Sequence, residues 1–287
     1  MTAVDERVVE PTNRLDGVTL NDVRWRGAKL AQAVFQGATL LEADLSGADL
    51  SGATLSSTDF GRAVLSDADL SGSTILATQF AFAWMAGVSM IEAKIEQANF
   101  RKAQLSQSRF HSARLKDCKF AGAVLNEVAF HHAKLVDCDF SNTEMVGAQF
   151  IGAQMSRCRF YAVNGAGITF SRAQIKSCDF SKAELPGAKF NLADLNSSLF
   201  TGANASEADF RDCNLSGTDF TGSSLRSARF SGAKLFAANL SGTDLTGARD
   251  LTSQQLTQAR TDKSTTLPNG SPGPFLRNSG AERSRRF

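Results

Sequence analysis

The chain has 287 residues, a formal net charge of +2 at pH 7 and a mean hydropathy of −0.17. This near-neutral balance favours neither a nucleic acid nor an anionic membrane surface as the partner. No run approaches the ~18 consecutive apolar residues of a membrane-spanning helix, so we expect no membrane span.

Residues 1–13 contain three acidic residues, Asp5, Glu6 and Glu10, and lack a long apolar stretch. They therefore do not resemble a signal peptide, and we expect a flexible N-terminal lead-in. Cytoplasmic localisation follows as the expectation, with secretion by a route without an N-terminal signal left open.

A five-residue rhythm occupies residues 14–249. From Leu15 to Leu245 every fifth residue is Leu, Phe, Ile or Met, except at Trp25, Gly165 and Ala205. A small residue, most often Ala, stands two positions before each of these centres. A period of five fits neither the 3.6 period of a helix nor the 2.0 period of a strand. The chain must therefore turn a corner once per repeat and bury the same two side chains each time.

The segment 43–52 reads Ala-Asp-Leu-Ser-Gly twice in succession and resembles the motif of the pentapeptide-repeat family. The resemblance covers residues 14–249, with Val or Ile replacing the small residue at Val88, Val128, Val163 and Ile168. It implies a right-handed, four-sided parallel β-helix with one pentapeptide per side and 20 residues per coil. The fold class expected is therefore an all-β solenoid with a short C-terminal helical cap.

The spacing of phenylalanines independently supports a 20-residue coil. Phe recurs every twentieth position from Phe60 to Phe220, and again from Phe110 to Phe230, ten residues out of step. The two remaining columns of centres are almost entirely Leu, Ile and Met. We expect Phe on opposite sides and aliphatic residues between them, in an interior packed too closely to hold a cofactor.

The two small centres, Gly165 and Ala205, belong to one side of the expected coil because they are 40 residues apart. Val163 and Ile168 flank Gly165 and could refill the space that it leaves. Local repacking or a bulge is one interpretation. A bend in the array is the other, and the sequence leaves both open.

Cysteine and histidine spacing invites a metal-site hypothesis that the expected fold does not favour. Cys118, Cys138, Cys158 and Cys178 recur every 20 residues at the inward small position, and Cys213 takes that position on another side. A linear ladder cannot bring four thiolates into a tetrahedron, so we interpret them as buried packing residues. The three histidines, His111, His131 and His132, follow centres and should face outward. We find no catalytic set, no metal site and no small-molecule site, and predict that the chain is not an enzyme.

Charged residues are unevenly distributed along the array. Residues 29–99 carry three basic and eight acidic residues, a net of −5, whereas residues 101–190 carry 13 and seven, a net of +6. The basic residues look spread over several sides, without aromatic residues interleaved for base stacking. Direct nucleic-acid binding is therefore not expected.

An apolar group at residues 76–91 is the candidate protein-interaction patch. Leu76, Phe82, Trp84 and Ile91 stand at positions that should point outward, where the array usually has polar or small residues. Exposed apolar clusters mark interfaces, and Trp is a favoured anchor. The alternative is a locally distorted coil that folds Trp84 inward.

Residues 250–268 lose the rhythm and read as a capping segment with one short helix. Thr252 is a suitable N-cap for the run that follows it, and Leu251 and Leu256 could cover the end of the array. The family resemblance suggests that a homodimer could form end to end, here through Leu251–Arg260. Residues 269–287 are rich in Gly, Ser and Pro, and we expect them to be disordered.

The preferred functional hypothesis is a non-enzymatic scaffold that mediates protein–protein interaction. Family resemblance implies two alternatives. One is a DNA mimic that binds a type II topoisomerase such as DNA gyrase and gives resistance to quinolones or toxins, although mimicry requires a more acidic surface than this one. The other is a secreted effector or a module associated with a secretion system. The identity of the partner does not follow from the sequence.

Overall fold

The computed structural model describes residues 14–284 and divides into two compact units, residues 1–144 and 145–287. Each unit is a parallel β-solenoid in which backbone ladders join residues 20 positions apart. The predicted fold class and coil length are thereby confirmed. The lead-in of residues 1–13, and residues 285–287 of the tail, lie outside the described residues.

In the first unit, six three-residue strands pair in parallel and in chain order, each with its central residue buried. We call the side that they form side A. The strands are β1 (Val34–Gln36), β2 (Thr54–Ser56), β3 (Thr74–Leu76), β4 (Lys94–Glu96), β5 (Arg114–Lys116) and β6 (Lys134–Val136).

Single-residue bridges form the other three sides of each coil. Following the chain from side A, the bridges Thr39↔Asp59↔Gln79 define side B, and the bridges through Asp44, Val64 and Trp84 define side C. Side D contains the bridges Asp49↔Asp69↔Ser89. Four ladders per 20 residues mean one pentapeptide per side, as the sequence predicts.

The second unit repeats this arrangement with its own ladders. On its side A, β7 (Gln154–Ser156) pairs with β8 (Gln174–Lys176), and single bridges continue the ladder to Asp194, Asn214 and Lys234. On the other sides the bridges extend beyond residue 249, because Asn239 pairs with Arg260 and Asp244 with Thr266.

The repeat motif follows from what each corner requires. The carboxylate of Asp44 accepts hydrogen bonds from both the backbone N–H and the hydroxyl of Ser46. Gly47 then adopts φ +64°, a left-handed conformation in which Gly avoids the strain of a Cβ. The backbone N–H of Ala48 donates to the carbonyl of Leu45 at 3.0 Å, which closes the corner. Asp before the centre, with Ser and Gly after it, is thus a turn sequence.

Stacked phenylalanine rings fill the interior as the spacing predicts. In the first unit, the Phe100 and Phe120 rings are parallel, with centroids 4.7 Å apart, and Phe110 meets Phe100 edge-on at 6.5 Å. In the second unit, Phe160 and Phe180 stack at 4.8 Å, and Phe170 meets Phe180 edge-on at 5.5 Å. Offset-stacked and edge-on pairs are the favoured aromatic geometries, so two facing columns of Phe pack without repulsion between ring faces.

Buried Ser, Thr and Cys residues at the small position connect successive coils by hydrogen bonds. The hydroxyl of Thr78 donates to the carbonyl of Leu55 at 2.8 Å, and the thiol of Cys213 donates to that of Phe190 at 2.8 Å. All five cysteines are buried as thiols, which agrees with their interpretation as packing residues. Burial raises the pKa of Cys213 to about 12, so this thiol stays protonated at neutral pH.

The ladder is unbroken at both small centres of the second unit. The backbone N–H groups of Gly165 and Ala205 donate to Glu184 and Ser224, each at 2.8 Å, so neither position is a bulge. A Cβ placed on Gly165 would lie 3.1 Å from a methyl group of Leu185 and 3.5 Å from one of Ile168. These side chains occupy the missing volume, which is the local repacking that the sequence suggests.

The capping segment contains the predicted helix, α1 (Ser253–Gln258). Thr252 is its N-cap, and the side chains of Thr252 and Gln255 each accept a hydrogen bond from the other's backbone N–H, which forms a capping box. The side-chain amide of Gln255 donates to the carbonyls of Phe230 and Ala233, both at 2.9 Å. Leu251 and Leu256 are buried. Among the described residues, no helix is long and apolar enough to cross a membrane.

Residues 269–284 differ from the predicted disorder, because they fold back along the cap. The backbone N–H of Gly273 donates to the carbonyl of Thr265 at 2.7 Å, and Asn269 donates to Ala281 at 3.3 Å. Ala281 is buried, and the side chain of Asn269 accepts two hydrogen bonds from Ser271. Local side-chain hydrogen bonds of this kind order a segment whose composition alone indicates a loose tail.

Candidate protein-interaction surface

Three of the four predicted patch residues are exposed. The exposed fraction is 59% for Trp84, 50% for Phe82 and 42% for Leu76, whereas Ile91 is half-buried. The alternative in which Trp84 folds inward therefore does not describe this coil. Its backbone N–H and carbonyl pair with Ala63 and Leu65 in the ladder, so the indole projects from a regular side.

The structure divides these four residues among different sides of the coil. Leu76 ends strand β3 on side A, and Ile91 lies at the corner that follows side D. Phe82 lies at the corner between sides B and C, two residues from Trp84 on side C. The candidate patch therefore reduces to Phe82 and Trp84 and does not extend over all four residues.

Further apolar residues on side C extend this smaller patch. Val64 bridges directly to Trp84 in the ladder, and at the neighbouring corner Leu41 lies within 3.1 Å of the position of a Cβ on Gly61. We call Leu41, Val64, Phe82 and Trp84 the side C surface. Leu41 and Val64 do not belong to the patch predicted from sequence, although the interval of 20 residues between Val64 and Trp84 indicates that they share a side.

Charged groups flank the side C surface. The ammonium of Lys102 lies 5.5 Å from the centroid of the Phe82 ring, within the range of a cation–π contact. Further along side C, the nearly buried carboxylate of Asp44 pairs with the guanidinium of Arg26. Burial alone would raise the pKa of Asp44, but hydrogen bonds from Ser46 and the charge of Arg26 outweigh it and lower that pKa.

Side A of the first unit has a different character. Lys94, Arg114 and Lys134 are exposed and stand in register on strands β4, β5 and β6. Other basic residues of this unit lie on other sides, such as Arg109 on side D and Lys119 on side B, so these three form a local column within the expected spread. All three line an open groove of about 510 Å³, whose lining also includes Leu76 and Val136.

The histidines are surface groups near one corner of the first unit. The rings of His111 and His131 have centroids 4.8 Å apart. Partial burial lowers the pKa of His111, and the nearby His131 and Arg109 lower it further. Within residues 14–284, no group of three His, Cys, Asp or Glu side chains is arranged to hold a metal ion.

A second crevice, of about 530 Å³, lies beside α1 in the second unit. Its lining includes Phe236, Gln254 and Gln258, and the Phe236 side chain is 68% exposed. The segment Leu251–Arg260, predicted to mediate a homodimer, contains both glutamines. Dimerisation through it stays a prediction.

Comparisons with solved structures return other proteins built from pentapeptide repeats. HetL of the cyanobacterium Nostoc sp. strain PCC 7120, a protein involved in heterocyst differentiation regulation, is 24% identical over 82% of this chain and 91% of its own, with a TM-score of 0.30. QnrB1, a plasmid-mediated fluoroquinolone resistance protein, is 18% identical over 66% and 91%, with a TM-score of 0.27. Rfr23 of the cyanobacterium Cyanothece 51142 is 28% identical over 36% and 62%, with a TM-score of 0.21.

TM-scores this low do not indicate a function for the chain. No curated protein matches the chain significantly. Family models give a clearer result. Residues 93–170 and 173–249 match the model of a pentapeptide repeat region, and residues 14–52 and 43–81 match that of pentapeptide repeats in eight copies. These matches cover well over half of the sequence and lie within the residues that form the observed ladders. The chain therefore belongs to the pentapeptide repeat family.

Proposed function

We propose that this chain is a non-enzymatic scaffold that binds another protein through the side C surface of its first unit. The observation that carries the proposal is the exposure of Trp84 beside Phe82, on a coil whose outward positions are otherwise mostly polar or small. Clustered exposed aromatic residues mark interaction sites, and Trp is enriched among the residues that dominate binding energy.

The regular backbone strengthens this proposal. Trp84 is held by ladder hydrogen bonds of 2.9 and 2.7 Å to the preceding coil, and Val64 lies next to it in the ladder. A preorganised anchor loses little conformational entropy on binding, so more of its contact energy contributes to affinity.

The packed interior supports a non-enzymatic role. Each unit fills its centre with its own stacked rings and aliphatic side chains, so partners are restricted to the outer walls. Many outward Asp and Ser side chains are already engaged in the corner turns. The basic residues of side A also disfavour the alternative of a DNA mimic, which needs acidic sides.

The test is to purify the tagged chain from its native host and to identify by mass spectrometry the proteins that co-elute. Each recovered partner is then titrated against the purified wild-type chain and the double variant Phe82→Ser, Trp84→Asp. Removing two central aromatic anchors should weaken binding by at least about tenfold.

A matched control is the double variant Leu192→Ser, Phe236→Ser. These residues are 50% and 68% exposed, stand in the second unit and should leave the affinity unchanged. If the folded side C variant binds every partner as tightly as the wild type does, the side C surface is not the interface.

A further inference from the structure

Side A of the first unit carries a column of like charges that the fold leaves uncompensated. Lys94 pairs in register with Arg114, and Arg114 with Lys134, so the three Cα atoms follow one another at the strand spacing of ~4.8 Å. None of the three forms an ion pair within residues 14–284. Like charges directly opposite on neighbouring strands destabilise a sheet.

Other sides of the same unit place opposite charges in register, with Asp49 and Asp69 on side D as a like-charged exception. Lys119 bridges to Asp139 on side B, Arg24 to Asp44 on side C, and Lys29 to Asp49 on side D. The solenoid therefore accommodates opposite charges in the outward column, and nothing in its geometry requires three bases in a row. An unfavourable feature that the fold does not require points to a role in binding.

The groove that this column lines also has apolar contacts and little negative charge. A second outward column, at the ends of the same strands, runs from Leu76 through Glu96 and Lys116 to Val136. The carboxylate of Glu96 is already occupied by the Lys116 ammonium at 2.8 Å. The three charges of the first column are therefore available to an external anion, beside two apolar contact points.

We propose that side A, over strands β3 to β6, binds an extended acidic segment of another polypeptide. Its carboxylates pair with Lys94, Arg114 and Lys134, and its apolar side chains contact Leu76 and Val136. The column spans two strand steps, roughly 10 Å, and three carboxylates at alternate residues of an extended peptide span ~13 Å at ~3.3 Å per residue. The long Lys and Arg side chains can bridge this difference. The groove lining contains no aromatic side chain for base stacking, which favours a peptide over a single-stranded nucleic acid. This surface is separate from the side C surface and does not depend on it.

The test uses a fluorescein-labelled peptide of alternating Glu and Val as the probe, titrated against the full chain at low and high salt. The matched peptide of alternating Gln and Val reports binding that does not need carboxylates. We expect the acidic peptide alone to bind, and the triple variant Lys94→Gln, Arg114→Gln, Lys134→Gln to weaken it by about tenfold, as three exposed ion pairs would.

The control variant Lys189→Gln, Lys234→Gln, Lys263→Gln removes the same net charge from exposed positions of the second unit and should keep wild-type affinity. Equal loss in both variants would mean a general effect of net charge and would overturn the proposal. Absence of binding to the wild type would also overturn it. A thymidine oligonucleotide of equal charge that bound more tightly through the same three residues would identify a nucleic-acid surface instead.

The same experiment separates this proposal from the proposed function. The side C variant Phe82→Ser, Trp84→Asp should bind the acidic peptide as the wild type does, because neither residue lines the side A groove. Failure of one surface therefore leaves the other standing.

Discussion

Side A of the first unit and side A of the second unit have the same backbone pairing and different outward side chains. In the first, Lys94, Arg114 and Lys134 repel one another along the ladder. In the second, Gln154 pairs with Gln174, and the amide of Asn214 donates to the carboxylate of Asp194 at 2.8 Å. Parallel ladders form in both units, so the outward column does not determine the fold. Its residues can therefore differ between the units to suit binding.

The interior beneath these two columns is alike. Leu115 below Arg114, and Ile175 beside Gln174, are both buried, and each belongs to a column of aliphatic centres. Two roles therefore alternate along every strand. Inward residues stabilise the coil, and outward residues are available to contact a partner.

Removing an inward side chain should have the largest effect on the free energy of unfolding, and the effect should be the same in both units. Leu115→Ala and Ile175→Ala should each lower the free energy of unfolding by about 2–5 kcal/mol, because each leaves a cavity in a close-packed interior. Chemical denaturation followed by circular dichroism measures this. If Leu115→Ala cost less than 1 kcal/mol while Ile175→Ala cost several, the two interiors would not be equivalent.

An outward column of opposite charges should make a smaller, pH-dependent contribution to the free energy of unfolding. Asp44 on side C is the example. Its folded-state pKa is lowered, so its carboxylate stabilises the fold above the unfolded pKa of about 3.9, and this stability is lost as pH falls through the folded value. At pH 7 Asp44→Asn should cost about 1.5 kcal/mol, the usual worth of hydrogen bonds to a charged group.

The pH profile checks this interpretation of Asp44. The gap in unfolding free energy between the wild type and Asp44→Asn should be constant near neutrality and begin to close near pH 4, at about the unfolded pKa. A gap that persisted unchanged into strong acid would mean that packing, and not the charge, explains the loss.

Reversing one charge of the side A column should give the smallest effect, with the opposite sign. Arg114→Glu places a carboxylate between Lys94 and Lys134 and should raise the free energy of unfolding by about 1 kcal/mol at low salt. Added salt should reduce this gain because the residues are exposed. Thermal denaturation at two ionic strengths measures both quantities.

The control for Arg114→Glu introduces the same residue on side A of the second unit. Asn214→Glu removes the hydrogen bond to Asp194 and places two carboxylates in register. Lys234 on the other side offsets the repulsion between the carboxylates, so the lost hydrogen bond should still lower stability. If both variants changed stability in the same direction, the outer chemistry of the two columns would not differ as we describe.

Much of the fold could be predicted from sequence because a five-residue period allows few structures. The in-phase centres, the alternation of Phe and aliphatic columns and the N-cap at Thr252 are all local or periodic signals, and the ladders and α1 confirm them. Repacking around Gly165 was also open to prediction, since Ile168 stands three residues away.

The candidate surfaces were harder to predict, because they depend on which side of the coil each outward residue occupies. Sequence proximity placed Leu76 and Trp84 in one patch, whereas the coil separates them onto sides A and C. The reverse error hid Lys94 and Lys134, which are 40 residues apart in sequence and two strands apart in space. Order in residues 269–284 depends on hydrogen bonds to the cap, such as the one from Gly273 to Thr265, that composition does not encode.

The alternation of ring and aliphatic columns also restricts how such a gene can change in length. Loss of one pentapeptide from the second unit would rotate every later residue by a quarter turn and set Phe190 beneath an aliphatic neighbour, breaking the stack with Phe170 at 5.1 Å. Loss of 10 or 20 residues would again set Phe on Phe and aliphatic residues on aliphatic residues. Duplication and deletion should therefore be tolerated in half or whole coils, and changes by an odd number of pentapeptides should be eliminated by selection.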